Sequence, residues 1–156
     1  MPPIHDLASH ITNSFRAGLR RTAVRSNKRN LAVCEILYKE GFLSAIYKGD
    51  VNGPDNVGHP VPVTPYNVAQ RRIWLDLKYR DNLPVLREMK PVSKSSRRVY
   101  ATVDELKAVA AGKRAHSLVK PQVLGQVTIL ETEYGVMELT EALKLDIGGE
   151  VLAIVV

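Results

Sequence analysis

Between residues 49 and 67 the chain carries Gly49, Gly53, Pro54, Gly58, Pro60, Pro62 and Pro65. No helix or strand of ordinary length survives that density of breakers, so regular structure must be built from the segments on either side. Upstream, Leu7, Ile11, Phe15 and Leu19 recur at four-residue spacing and predict a helix over 5–20. Asp6 suits its start, and Arg20 and Arg21 suit the negative end of its dipole. Residues 22–24 form a short strand. Ser26 or Asn27 is a natural N-cap for a second helix over 28–40. Its apolar face is Leu31, Cys34 and Tyr38, widened by Val33, Ile36 and Leu37, and Gly41 ends it. A strand follows over 42–48.

Downstream of the breakers, residues 72–79 alternate as a strand, with Ile73, Leu75 and Leu77 on one face and Trp74 and Asp76 on the other. Asp81-Asn82 marks a turn, and 84–89 is expected to return as a hairpin partner. Residues 91–98 read as an inter-domain linker. Beyond it come a short strand at 99–101 and a helix to about Ala111, opened by a capping box of Thr102 and Glu105. Residues 112–126 are rich in turn formers. A strand at 127–130, a turn at 131–135, a helix at 137–146 stopped by Gly148-Gly149, and an apolar strand at 151–156 complete the chain. The expected fold class is α/β (α+β): an N-terminal α/β domain over 1–91, a linker over 92–98, and a C-terminal α/β domain over 99–156.

At 156 residues the chain fits one domain or two very small ones. Its lone cysteine, Cys34, excludes a disulfide framework and any cysteine pair for zinc. Amid apolar helix neighbours it reads as a buried structural thiol. No apolar run approaches the length of a membrane span. The net charge is +6, which favours a polyanionic partner through counterion release. The charge is also uneven. Residues 1–98 hold 17 Lys and Arg against 8 Asp and Glu, a net of +9, while 99–156 hold 5 against 8, a net of −3. Arg16, Arg20, Arg21, Arg25, Lys28 and Arg29 form an acid-free run, either a solvated face or a phosphate-facing surface. Residues 5–25, Arg-rich with Asp6 as their single acid, are similar to a mitochondrial transit peptide. They read as a basic first helix that can serve as an uncleaved import signal.

No enzyme motif is present. Gly112-Lys113-Arg114 lacks what a phosphate loop requires, and His5, His10, His59 and His116 are scattered. There is no Gly-x-Ser-x-Gly elbow. Glu131 and Glu133 sit side by side on a strand end and suit solvent better than acid–base work. No cofactor or metal is expected.

Five short pieces carry a resemblance. Val92-Ser93-Lys94-Ser95-Ser96-Arg97-Arg98-Val99-Tyr100 with Asp104-Glu105-Leu106 resembles a Val-Ser-Arg-Pro-Gly-x-Arg-Ile-Tyr…Asp-Glu-Leu stretch. Tyr134-Gly135-Val136-Met137 is similar to Lys-Gly-Val-Met, and Gly148-Gly149-Glu150-Val151-Leu152 to Gly-Gly-Glu-Ile-Ile. Lys39-Glu40-Gly41-Phe42 resembles Glu-Glu-Gly-Phe, and Ser26-Asn27-Lys28 resembles Ser-Ser-Lys. In this order and spacing they resemble those of the universal eighth-protein family of the small ribosomal subunit. Gly53-Pro54-Asp55, Val63-Thr64-Pro65, Arg71-Arg72-Ile73-Trp74-Leu75 and Leu77-Lys78-Tyr79-Arg80-Asp81-Asn82 are similar to its fungal mitochondrial members.

The resemblance implies two α/β domains joined by a short linker and a structural role in the mitochondrial small subunit. The implied partners are small-subunit rRNA, gripped in its central domain, and neighbouring small-subunit proteins, with no membrane and no small-molecule substrate. The candidate RNA contacts are Ser26, Asn27, Lys28 and Arg29 in the first domain, and Ser93, Lys94, Arg97, Arg98 and Tyr100 at the linker. In the second domain they are Thr132, Tyr134, Gly135, Val136 and Met137, then Gly148, Gly149 and Glu150. Irregular RNA offers unpaired bases and 2′-OH groups to such loops. The family's Ser-Thr-Ser-x-Gly loop is here Glu131-Thr132-Glu133-Tyr134-Gly135. Ionised carboxylates donate no hydrogen bond and repel phosphate. Affinity is therefore expected to shift toward Lys28, Arg29, Lys94, Arg97 and Arg98, with Tyr134 available to stack on a base. Three rivals remain open: an RNA-binding translational regulator outside the ribosome, a small enzyme with dispersed catalytic residues, and a ribosomal subunit that packs on proteins rather than RNA.

Overall fold

The protein is described by a computed structural model over residues 3–56 and 58–156. It divides into two compact units, Asn13–Val85 and the segment up to Thr12 with Leu86–Val156. This division departs from the expected linker at 92–98. Residues 86–98 belong with the C-terminal part, and so do residues 3–12.

In the first unit, the last turn of α1 (Pro3–Arg16) leads to Gly18 at φ 68 and then to β1 (Arg21–Arg25). The helix is shorter than expected. Leu19 lies beyond it and is exposed, while Phe15 is buried. The next helix, α2 (Lys28–Lys39), starts at Asn27 and stops before Gly41 at φ 81. Its buried stripe is Asn30, Val33, Cys34 and Leu37 with Ile36, at i, i+3, i+4 and i+7 spacing. Tyr38 points to solvent instead of joining that face. Burial raises the Cys34 thiol to about 12, with the Glu35 charge adding to it.

Strands β2 (Leu43–Asp50), β3 (Gly53–Pro54) and β4 (Arg72–Leu77) complete an antiparallel sheet in the order β1-β4-β2-β3. The alternation of β4 is as expected: Ile73, Leu75 and Leu77 are buried, and Trp74 and Asp76 face the other way. Each buried Leu or Ile contributes roughly 1.5–3 kcal/mol of transfer free energy.

The Pro/Gly-rich segment, Val57 lying outside the described residues, is held by Arg71. That side chain is 3% exposed and donates to Asp50 at 2.8 Å and to Asp55 at 3.0 Å. Gly49 is required here, because a Cβ would meet the Trp74 ring at 2.7 Å and the Gly53–Pro54 backbone still closer.

Asp81 and Asn82 both adopt positive φ, closing β5 (Tyr79–Arg80) on β6 (Leu83–Pro84). The expected long hairpin strand over 84–89 does not form. The chain leaves this ladder after Pro84, and β7 (Met89–Pro91) pairs with the C-terminal strand in the other unit.

In that second unit, β8 (Tyr100–Ala101) leads to α3 (Val103–Ala110), whose Thr102–Glu105 capping box is fully formed. The turn-rich segment follows. Next come β9 (Val127–Thr132), β10 (Gly135–Glu138), α4 (Leu139–Lys144) and β11 (Gly149–Val155). Residues 135–138 were expected as turn and helix start but form a hairpin strand, because Met137 pairs with Leu130 and both enter the core. The sheet order is β10-β9-β11-β7, with β8 also on β11. Leu106 and Val109 of α3, Leu139 and Ala142 of α4, and Leu130 and Val151 of the sheet share one core. The segment 3–12 is tied to this unit by His5 Nε2 at 3.1 Å from the Ser93 carbonyl and by Met89 N–H donating to Thr12 Oγ1 at 3.2 Å.

Candidate nucleic-acid interface

The sheet of the second unit has a second face, opposite α3 and α4. Residues directly opposed in antiparallel strands point the same way. The register places Val136 across from Glu131, Glu131 across from Glu150, and Glu150 across from Tyr100. This row lies one residue out of phase with core-facing Leu130, Met137 and Val151, so it lines the other face.

Glu150 is the fixed point of the row. It is 7% exposed, and its carboxylate accepts from Ser93 Oγ and, at 2.7 Å, from Arg98 Nη1. Ser93 Oγ in turn accepts from the Val99 N–H at 3.3 Å. The Arg98 guanidinium is held firmly protonated, first by the hydrogen bond to Glu150 and then by that charge, with smaller help from Tyr100 and Glu131. Glu150 and Ser93 are both buried and spend their polar groups inside the unit. Their product is an arginine of set orientation beside Tyr100, which is 61% exposed.

The β9–β10 hairpin extends this face. Thr132 Oγ1 donates to the Gly135 carbonyl at 3.0 Å and accepts from the Tyr134 N–H at 3.3 Å. Its hydroxyl proton is therefore used to shape the turn rather than to meet a ligand, and Gly135 supplies the φ of 117. The result displays Tyr134, 77% exposed, with Glu133 at the tip. Gly148 and Gly149 have packing reasons of their own. A Cβ on Gly148 would lie 2.7 Å from the Ala101 carbonyl oxygen, and one on Gly149 would collide with the Glu131 carbonyl. Both let β11 close on its neighbours. Met137 is buried and Val136 half-buried.

Lys94 and Arg97 close a tight two-residue turn through paired backbone hydrogen bonds of 3.0 Å, with Ser95 and Ser96 at its tip. Both basic side chains are exposed. They line a cleft shared with Lys90 and Lys120, a grouping that spacing along the chain does not reveal. In the first unit, Ser26, Asn27 and Lys28 are exposed and Arg29 is half-buried. Asn27 caps α2 with no side-chain hydrogen bond, and the first turn carries no acid. A helix N-terminus with these features favours an anion. Among the described residues no group of His, Cys, Asp and Glu is placed to hold a metal ion, and no helix is long and apolar enough to cross a membrane.

Comparison with known proteins fits this picture. The profile of the ribosomal protein S8 family matches residues 2–156. The small ribosomal subunit protein uS8m of Schizosaccharomyces pombe is 42% identical over 149 residues, covering 96% of each chain. Its Neurospora crassa counterpart is 40% identical over 153 residues, covering 96% of this chain and 94% of that one. The small ribosomal subunit protein uS8 of the bacterium Ruegeria is 33% identical over 153 residues, 98% of this chain and 97% of its own. On this near-full-length match, the chain belongs to the ribosomal protein S8 family.

Proposed function

We propose that this protein is a structural constituent of the small subunit of the mitochondrial ribosome, where it binds the central domain of the small-subunit rRNA. Its family is one of ribosomal proteins, and its fungal relatives carry the name of a small-subunit protein over nearly their whole length. The observation that carries the RNA-binding part is the sheet face of the second unit. There a buried Glu150 orients Arg98 beside exposed Tyr100, and a self-contained turn displays Tyr134. Exposed aromatic rings with an adjacent guanidinium suit unpaired bases and phosphates. Lys28 in the first turn of α2, where the N-cap Asn27 makes no side-chain hydrogen bond, supplies a second phosphate contact. Neighbouring small-subunit proteins are the remaining partners, and Glu131 and Glu133 suit basic segments of these better than they suit phosphate.

The test is sedimentation of a tagged chain from organelle lysate. Co-migration with the small subunit, persisting after magnesium removal splits the ribosome, is the expected result. Migration as free protein, or with a particle lacking rRNA, would sink the reading and favour a regulator acting outside the ribosome.

A further inference from the structure

We infer that the cleft beneath the Lys94–Arg97 turn is a pocket for a single extruded nucleotide of the bound RNA, a site separate from the sheet face that carries Tyr100 and Glu150. The inference rests on the rRNA-binding reading and assigns it a second, chemically different contact.

The cleft has a volume of about 300 Å³ and lies wholly within the second unit. Its rim is cationic: Lys90, Lys94, Arg97 and Lys120 surround it, and no carboxylate lines it. Lys90 pairs with Glu88 at 2.8 Å. Among the described residues, Lys94, Arg97 and Lys120 form no ion pair, and all three are exposed. The floor is aliphatic, made by Val92, Val99, Leu118 and Ile154. Val99 is buried, whereas Leu118 keeps 37% of its surface exposed.

An apolar lining beside four cations, three of them without an ion pair among the described residues, has a defined complement. The occupant must have a flat or apolar body and negative charge on both sides of it. A nucleotide within an RNA strand meets both demands, since an extruded base inserts between apolar side chains and its two flanking phosphates reach the rim. The base would exchange water for the aliphatic floor, and each phosphate neutralised releases counterions. The pieces come from four places in the chain. Lys90 lies on β7, Lys94 and Arg97 on the turn, Lys120 and Leu118 on the turn-rich segment, and Ile154 on β11. The folded sheet edge creates the site.

The test uses the purified full chain with methyl-labelled Val, Leu and Ile, and three probes: octaadenylate, an eight-unit abasic ribose phosphate strand, and a glutamate-rich hexapeptide with a central phenylalanine. Octaadenylate is expected to shift the methyls of Val92, Val99, Leu118 and Ile154 together. It should bind roughly fivefold or more tightly than the abasic strand. Leu118→Asp, at a partly exposed position, should remove that preference, while Gly53→Ala, where an added Cβ meets nothing within 4 Å, leaves those methyl shifts in place. Equal binding of the abasic strand would overturn the proposal by reducing the site to phosphate attraction. Stronger or exclusive response of the four methyls to the peptide would overturn it in favour of an acidic protein segment, and no response to any probe would overturn it outright. A transcript of the rRNA central domain separates this failure from a wider one. If only the cleft idea is wrong, wild type and Leu118→Asp bind the transcript equally. If the rRNA-binding reading is wrong, neither binds it.

Discussion

Arg98 donates from Nη1 to Oε2 of Glu150 at 2.7 Å, and the two partners differ in exposure: the arginine side chain is 50% exposed and the glutamate 9%. The buried acid acts as an anchor and the arginine as the displayed group. Glu150→Ala removes the acceptor of both Arg98 and the buried Ser93 hydroxyl. The loss of unit stability is expected at about 1–3 kcal/mol, from the Ser93 group left unpaired. Binding of a central-domain rRNA transcript should fall together with it. Arg98→Ala should reduce rRNA affinity with a smaller effect on unfolding by urea. Equal stability losses in the two variants, with unchanged RNA affinity, would make the pair merely structural.

Much of this fold is legible in the sequence where a local rule and burial agree. The Thr102–Glu105 capping box, the alternation of 72–77 and the left-handed Gly41 each follow from residues close in the chain. The misplaced strand at 84–89 has a different cause, which is pairing over long sequence separation. Met89–Pro91 is a strand because Val155, Ile154 and Ala153 lie beside it, and nothing near residue 89 announces that partner. The same distance hides the cleft that gathers Lys90, Arg97 and Lys120. Glu150 and Gly149 were recognisable as important. Their use as an internal anchor and a site of close backbone approach depends on Ser93, Arg98 and Glu131.

Acid should loosen the first unit through named carboxylates. Asp55 is held below the usual carboxylate range, chiefly by its hydrogen bond from Arg71, and Asp76 likewise by Arg21. Each binds fewer protons folded than unfolded. Their stabilisation is therefore complete above the unfolded value near ~4 and is lost as pH falls through the lowered folded values. The single tryptophan, Trp74, donates to the Asp50 carbonyl at 2.9 Å and reports on this region. Urea midpoints followed by its fluorescence should drop between pH 5 and 3 in roughly that window, and Asp55→Asn should flatten the drop. A wild-type midpoint unchanged down to pH 3 would contradict the assignment.

Arg71 itself is the larger structural commitment. Its guanidinium is 3% exposed and serves both Asp50 and Asp55, fixing the Pro/Gly-rich segment. Arg71→Met leaves two carboxylates without their cation, and the expected cost is roughly 3 kcal/mol. Limited proteolysis should then cut between residues 56 and 70 well before the rest of the unit. Resistance equal to wild type would show that the segment is ordered by other contacts.

Cys34 is 0% exposed, and burial raises its thiol to about 12. A thiol with so little thiolate at neutral pH and no access is inert. Labelling by a thiol reagent should therefore follow opening of the first unit, with a rate that rises in parallel with Trp74 fluorescence change across a urea series. Rapid labelling in native buffer, without fluorescence change, would mean that α2 opens locally. The conservative variant Cys34→Ala should cost about 1 kcal/mol or less through lost packing and leave RNA binding intact.

The sharpest separation of packing from binding lies at Gly149. A Cβ there would collide with the Glu131 carbonyl and come within 3.2 Å of the Thr132 methyl. Relief requires β11 to draw away from β9 at the point where Glu150 faces Glu131. That shift moves the anchor from Arg98 and disturbs the turn that displays Tyr134. Gly149→Ala is therefore expected to lower the stability of the second unit by about 1–3 kcal/mol and rRNA affinity by tenfold or more. The Cys34 labelling rate should stay near wild type, because Cys34 belongs to the other unit. Gly53→Ala is the control, since a Cβ there meets nothing within 4 Å, and it should leave rRNA affinity unchanged. If Gly149→Ala binds rRNA as wild type does, the sheet face is not the RNA-contacting surface, and the contact must be sought at the start of α2 and at the basic cleft.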